Sequence, residues 1–316
     1  MIIERMTTST APSPALARLQ GVAHLDHLGV IQIEGEDAAK FIHSQLTHDF
    51  ALLDLSQARL AAFCNAKGRM QVSMLGLKRP SGELLLVVPK DVLAPTLKRL
   101  SMFVMRAKAK LTDASAQYAL RGLAGSAINS EAAGAGAMWA KADFESATWV
   151  NLYPADGIAR QLWLAPVGTA EPAGPALDSE LWRWGEVRSG VVLVGQAVAE
   201  AFVPQMLNYE SVDGVSFKKG CYPGQEVVAR SQFRGTLKRR GMVVHCAAEL
   251  AAGQELFAPG DNDQPVAVVA QAAPCPNGGY DAVVSVQLAA LDGMVQTAQG
   301  AALQFLLLPY PLRDDI

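Results

Sequence analysis

Apolar and polar positions along the chain switch between a period of two and a period near 3.6. Leu28 to Ile33 reads Leu-Gly-Val-Ile-Gln-Ile, a short apolar run that predicts a strand. It runs into Gly35-Glu36-Asp37, where acidic residues open a helix whose apolar positions Ala38, Phe41, Ile42 and Leu46 recur at helical spacing. Thr47-His48-Asp49 closes that helix. Arg59 to Cys64 and Met70 to Leu77 predict two strands around Asn65-Ala66-Lys67-Gly68, a turn sequence with glycine at its end. Leu84 to Val88 predicts another strand, followed by a helix from Asp91 to Val104 that tolerates Pro95 only near its first turn.

Further on, Gln117 to Leu123 is strand-like. The glycines and alanines of 122–136 predict closely packed helix and loop, because no G-x-G-x-x-G or Walker pattern follows a strand there. Trp149 to Tyr153 and Ile158 to Ala165 form a strand pair across Pro154-Ala155-Asp156-Gly157, and Pro166 to Pro175 is a loop. Asp178 then caps a helix that runs to Ser189 and ends at Gly190. Trp182 and Trp184, two residues apart, point to different faces of it: one is expected in the core, and the other either lines a pocket or, the favoured reading, is a second core or boundary residue. The stretch from Phe202 to Phe217 is irregular. After Arg240 the pattern changes to short strands at Met242–Cys246, Val266–Ala270, Ala282–Val286 and Leu303–Leu308 between Gly, Pro and Asn turns, which predicts a small C-terminal β-barrel or sandwich.

The alternation of both periods makes this an α+β chain, and its 316 residues exceed the usual single domain. We divide it into a flexible leader (1–20), an N-terminal α+β part (21–115), a second α+β part (116–236) and a β C-terminus (237–316). Half of the residues are hydrophobic, ample for a sizeable core, and a formal charge of −3 selects no class of partner. Four cysteines, Cys64, Cys221, Cys246 and Cys275, stand far apart without a C-x-x-C, which fits a reducing compartment rather than a disulfide framework. Met1 to Pro14 lacks a signal-peptide core, and no run approaches the roughly 20 apolar residues of a membrane span. The expectation is a soluble cytoplasmic protein without membrane contact.

Candidate chemistry concentrates in Lys218-Lys219-Gly220-Cys221-Tyr222-Pro223-Gly224-Gln225-Glu226-Val227-Val228-Ala229-Arg230. Gly220 and Gly224 allow a tight exposed loop, and Glu226 suits the positive end of a helix through Val227, Val228 and Ala229. A thiol there, beside lysines, is expected to carry more thiolate, the reactive and metal-binding form; the competing reading is a small buried residue in a turn. Downstream, Lys218, Lys219, Arg230, Arg234, Lys238, Arg239 and Arg240, interleaved with Phe217, Tyr222 and Phe233, make either a solvated face or a surface for RNA phosphates and bases. The histidines His24, His27, His43, His48 and His245 have neither H-E-x-x-H spacing nor a cysteine at metal-ligand spacing, and read as ordinary surface or capping residues. There is no G-x-S-x-G element.

Lys219-Gly220-Cys221-Tyr222-x-Gly224-Gln225-Glu226 resembles the signature of the YgfZ family, folate-binding GcvT-like proteins linked to iron–sulfur enzyme maintenance and tRNA modification. Ile33-Glu34-Gly35-Glu36-Asp37-Ala38 through Asp49, and Asn65-Ala66-Lys67-Gly68-Arg69, resemble two further family markers, and the resemblance extends from about Leu25 to Pro311. It implies a GcvT-like fold of three parts around a central opening, ending in a small β-barrel. It also implies a tetrahydrofolate site at Trp182, with Leu28 where the family carries a second tryptophan and Arg188 where a pterin-binding glutamate is expected. Val72 and Ser73 fall nearest to the catalytic acidic pair of glycine-cleavage aminomethyltransferases, which speaks against aminomethyl transfer because neither is a carboxylate. By the resemblance Cys221 is the functional thiolate and possible metal ligand, Lys219 lowers its pKa, and Gln225 and Glu226 fix the loop through bonds to backbone groups. One thiol cannot hold an iron–sulfur cluster alone, so iron–sulfur enzymes or cluster carriers would be the partners for a transient cluster. The alternatives are a folate-dependent aminomethyltransferase and a tRNA-binding module without chemistry.

Overall fold

Alternation dictates where each strand faces. In Leu84-Leu85-Leu86-Val87-Val88 the even positions enter one core and Leu85 and Val87 enter another, so a continuous apolar run is a strand buried on both faces. The computed structural model describes residues 15–132, 136–234 and 237–313. Its strands are β1 (Gly21–His24), β2 (Leu28–Glu34), β3 (Ala58–Cys64), β4 (Met70–Lys78), β5 (Leu84–Pro89), β6 (Lys110–Asp113), β7 (Tyr118–Ala124), β8 (Lys141–Phe144), β9 (Ala147–Ala155) and β10 (Ile158–Pro166), followed by β11 (Arg239–Cys246), β12 (Glu255–Leu256), β13 (Ala267–Pro274), β14 (Tyr280–Gln287) and β15 (Leu303–Leu306). The helices are α1 (Ala38–His43), α2 (Leu93–Ser101), α3 (Ser179–Arg188) and α4 (Gln225–Phe233).

These strands form three five-stranded antiparallel sheets in the orders β3-β4-β5-β2-β6, β1-β7-β10-β9-β8 and β12-β13-β14-β11-β15. The first sheet packs one face under α1 and α2 through Ile31, Ile33, Phe41, Ile42, Leu86 and Leu100. Its other face joins the second and third sheets in a shared core that includes Val30, Leu60, Val87, Leu162, Val187, Val243 and Val283. Helix α3 lies in that shared core. Asp178 caps it, its carboxylate accepting from the Glu180 and Leu181 N–H groups. Gly122 of β7 lets the helix approach: a Cβ there would stand 2.6 Å from the Trp182 ring.

Several sequence expectations need correction. The leader of 1–20 is too long: residues 1–14 lie outside the described residues, but Leu16 and Leu19 are buried, and β1 begins at Gly21. The cut at 21–115 also divides a sheet, because β1 pairs with β7 (Gly21 with Ala124, His24 with Arg121) rather than with its neighbour β2. The helix expected over 91–104 is a 3-10 turn (Lys90–Val92) and the shorter α2, with Pro95 in its first turn as required. The C-terminal sheet is open rather than a closed barrel. Its edge strands β12 and β15 are linked only by isolated bridges from Gln296 to Phe257 and Ala302. Part of the 122–136 stretch, residues 133–135, is outside the described residues.

Candidate functional site

Three sequence markers far apart in the chain meet at one end of the first sheet. Gly224 sits at φ +80°, and a Cβ there would lie 2.4 Å from the Asn65 carbonyl oxygen and 2.7 Å from Gly68 Cα. Only glycine admits the β3–β4 turn that closely. Lys219, almost fully buried, donates to the backbone carbonyls of His43 and of Leu46 (2.8 Å), closing the C-terminal end of α1, and its ammonium rests 4.6 Å from the Tyr222 ring centroid. Burial pushes the Lys219 amine down to about 8, against the opposing charges of Asp49 and Cys221. What the structure gives Lys219 is a different part from the expected one: it ties the loop to α1.

Cys221 is the exposed cysteine; Cys64 and Cys246 are buried and Cys275 is half-buried. Burial pushes the Cys64 thiol up to about 12. Tyr222 is buried beside the exposed thiol, and Gly220 lies against the His43 ring. Glu226 does not bond the loop backbone. It pairs with Arg230 one turn on, at 2.7 Å on the exposed face of α4, and no side chain caps the start of that helix at Gly224. Of the basic cluster, Lys218, Arg230, Arg234 and Lys238 are exposed, but Arg239 donates to the Val266, Ser285 and Pro265 carbonyls and Arg240 is buried against Glu210. Phe233 is exposed and makes an edge contact with Phe217. Fewer of these side chains are thus exposed than the sequence suggests.

A separate cavity of about 700 Å³ opens between the three sheets. None of Lys219 to Arg230 lines it, so the thiol loop and the cavity are distinct. They are joined by β3 and β4: Leu60 and Leu75 form cavity wall, and the turn at Asn65, about 16 Å further along β3 at 3.3 Å per residue, touches Gly224. Leu28 lines the cavity, as do the aromatic rings Trp139 and Tyr153. Burial pushes the Tyr153 phenol up to about 12, leaving it a neutral donor.

Both tryptophans of α3 are buried, so the reading of two core residues holds and neither is free to line a pocket. Trp182 is not a wall of the cavity. The Arg160 guanidinium covers it at 4.3 Å, and its Nε1 donates to Glu186 at 2.9 Å. Trp184 Nε1 donates to Asp281 at 2.7 Å. The carboxylate that α3 presents to the cavity is Glu186, one turn after Trp182, and not a residue at position 188. Arg188 points away, to Asp156 and Asp281. Burial alone raises the Glu186 carboxyl, but the hydrogen bond and charge of His27, with the Arg160 guanidinium and the Trp182 N–H, hold it below the usual carboxylate range. Burial in turn pushes Arg160 down to about 10, with Glu186 opposing.

Asp26 and Asp91 are further cavity carboxylates. Val72 and Ser73, by contrast, are buried in β4, where Ser73 Oγ accepts from the Val194 N–H. Two cavity-lining residues carry buried polar atoms without a protein partner, Arg160 Nε and Gln271 Oε1. Of the five histidines His24 is exposed, as expected, but His27, His43, His48 and His245 each face a carboxylate, of Glu186, Asp49, Asp213 and Asp281. Sequence spacing could not reveal those pairs, three of which bridge distant segments. Glu186 was within reach, since position i+4 from Trp182 shares its helix face.

Three antiparallel sheets around a shared core define a GcvT-like fold. The structure matches glycine cleavage system aminomethyltransferase T from Bartonella henselae with a TM-score of 0.69 at 16% identity, covering 94% of this chain and 88% of that one. No protein-family model matches the chain. Curated relatives do: the tRNA-modifying protein YgfZ of Edwardsiella ictaluri is 30% identical over 96% of this chain and 97% of its own length. That of Klebsiella pneumoniae is 32% identical over 68% of each chain. The chain belongs to the YgfZ family.

Proposed function

We propose that the protein binds a reduced folate in the cavity between its sheets and serves tRNA modification by maintaining the iron–sulfur enzymes that carry it out. The observation that carries the folate part is the polar set of the cavity. Glu186 is held anionic and fixed by His27 and Trp182, while Arg160 Nε and Gln271 Oε1 lack protein partners among apolar walls. A pterin ring is flat and has an amino–amide edge of donors and acceptors, so it fits a carboxylate acceptor, one further donor and one further acceptor. Leu28, Trp139 and Tyr153 supply apolar surface for it. A bound folate would bring one-carbon chemistry; the chain's own residues hold and orient its ring.

Cys221 is the residue we assign to sulfur or iron handling. Its thiol is exposed on a loop pinned by Lys219 and Gly224, and with Cys64 and Cys246 buried it lacks further exposed thiols for a cluster. Transient ligation shared with a partner protein suits that geometry. The test combines tetrahydrofolate binding, followed by tryptophan fluorescence, with activity of iron–sulfur tRNA-modifying enzymes in cells lacking the protein. Glu186→Gln is expected to weaken folate binding by about tenfold or more, the cost of a charged buried acceptor. Cys221→Ala is expected to bind folate normally and fail to restore enzyme activity. Full restoration by Cys221→Ala ends the thiol reading, and unchanged affinity in Glu186→Gln ends the cavity reading. Asp26 and Asp91 keep a second reading, aminomethyl transfer, open to a turnover assay with reduced tetrahydrofolate.

A further inference from the structure

On the far side of α3 from Glu186, the third sheet gathers a histidine, a cysteine and an aspartate. His245 of β11 and Asp281 of β14 are direct cross-strand partners, and Cys275 opens the turn that joins β13 to β14. One ligand atom from each lies within 4.8 Å of the other two. We propose that His245, Cys275 and Asp281 form a binding site for a single Zn²⁺ ion, with water in the fourth position.

The donor set carries the choice of metal. Thiolate, imidazole and carboxylate together suit a tetrahedral borderline-soft cation and not Ca²⁺ or Mg²⁺, which take oxygen ligands. With bonds of about 2.0–2.3 Å such an ion needs its ligand atoms roughly 3.3–3.8 Å apart, so a small side-chain adjustment closes the site. The imidazole now bonded to Asp281 at 2.7 Å exchanges that hydrogen bond for the metal. The cysteine thiol gives up its proton to solvent, and the sulfur's electron pair makes the new bond.

The surroundings would hold the three ligands in place. Cys275-Pro276-Asn277-Gly278-Gly279 is a tight turn, closed by bonds from the Gly278 N–H to the Cys275 carbonyl and from the Cys275 N–H to the Gly279 carbonyl, both 2.9 Å. Within it burial holds the Cys275 thiol above its ordinary range, with the Asn277 backbone N–H to the sulfur opposing and the Asp281 carboxylate adding to it, so a bound cation is what would favour the thiolate there. Asp281 is oriented from behind by Trp184 Nε1 at 2.7 Å and by Arg188. Asp281 is buried, whereas His245 and Cys275 are half-buried and open to solvent, so the ion has a way in. An ion held there ties the third sheet to α3 through Asp281.

The full chain, stripped with a chelator, is titrated with Co²⁺ as a spectroscopic probe and then with Zn²⁺. We expect one Co²⁺ per chain, a thiolate-to-cobalt charge-transfer band, tetrahedral d–d bands, and displacement of all three by Zn²⁺. Cys275→Ser should lose the charge-transfer band, and His245→Ala should bind at least about tenfold more weakly. Cys221→Ser, which removes the exposed thiol, should keep both signals. A second readout guards against misfolded variants: excess Zn²⁺ should raise the Tm of the wild type and of Cys221→Ser, but not of Cys275→Ser. The proposal is overturned by a charge-transfer band that survives in Cys275→Ser, by one that vanishes in Cys221→Ser, or by a wild type that binds no stoichiometric Co²⁺.

Discussion

Lys219 and Gly224 do unlike things to the same loop. The lysine is a cation taken out of water for two carbonyls, and its lowered pKa has a sign that can be followed. The unfolded chain binds the proton more tightly, so between about pH 8 and the ordinary lysine value of 10.5 stability rises with pH. This contribution is complete above that window and is lost as pH falls through it. Urea unfolding of wild type and Lys219→Gln across the window should therefore give a difference that widens with pH, and a constant difference would remove the linkage. Gly224→Ala combines a left-handed φ with a Cβ driven into the Asn65 carbonyl, and should cost about 1–3 kcal/mol. Its Tm should fall by several degrees, whereas alanine at Gly220, where the nearest atom is His43 Nε2 at 3.4 Å, should change little.

Helix α3 works through two faces. Glu186, held by the Trp182 N–H, forms the face toward the cavity, and Trp184 and Arg188 the face toward the third sheet. Trp184→Phe leaves the buried Asp281 short of a donor and should cost about 1–3 kcal/mol while folate affinity stays within twofold. Trp182→Phe should do the reverse in kind, weakening folate binding by loosening Glu186; equal effects of both on affinity would contradict the division. Much of this helix was legible beforehand, because Asp178 as cap and Gly190 as stop are local signals. The β3–β4 hairpin was legible for the same reason, with its Asn-Ala-Lys-Gly turn. What the pattern could not give was the partner of each face. Two tryptophans at i and i+2 can both be buried when a helix is covered from two sides, and Glu186 and Arg188 exchange expected parts because a two-residue step turns a side chain away from the cavity. Strands β1, β6 and β8, four residues each, are too short to have a readable period.

At the scale of the whole molecule, the cavity exists because three sheets share one core, and residues before β1 belong to it. Leu19 is fully buried against Gly185 of α3, so Leu19→Ala should cost about 2–5 kcal/mol, read as a lower midpoint in urea at constant slope. The open third sheet was the least legible part at this scale, since its short strands fit a barrel equally well until the register shows β12 and β15 unjoined by a ladder. The pairing of β1 with β7 also carries a cost in time. A ribosome makes β1 about a hundred residues before its partner, a wait of roughly 5–20 s at ordinary elongation rates. During that interval Val22 and Ala23 have no strand to lie beside, while β2 to β5 can already assemble next to them. Nascent chains stopped before residue 118 should thus expose β1 to chaperone or protease, and chains released past residue 166 should not.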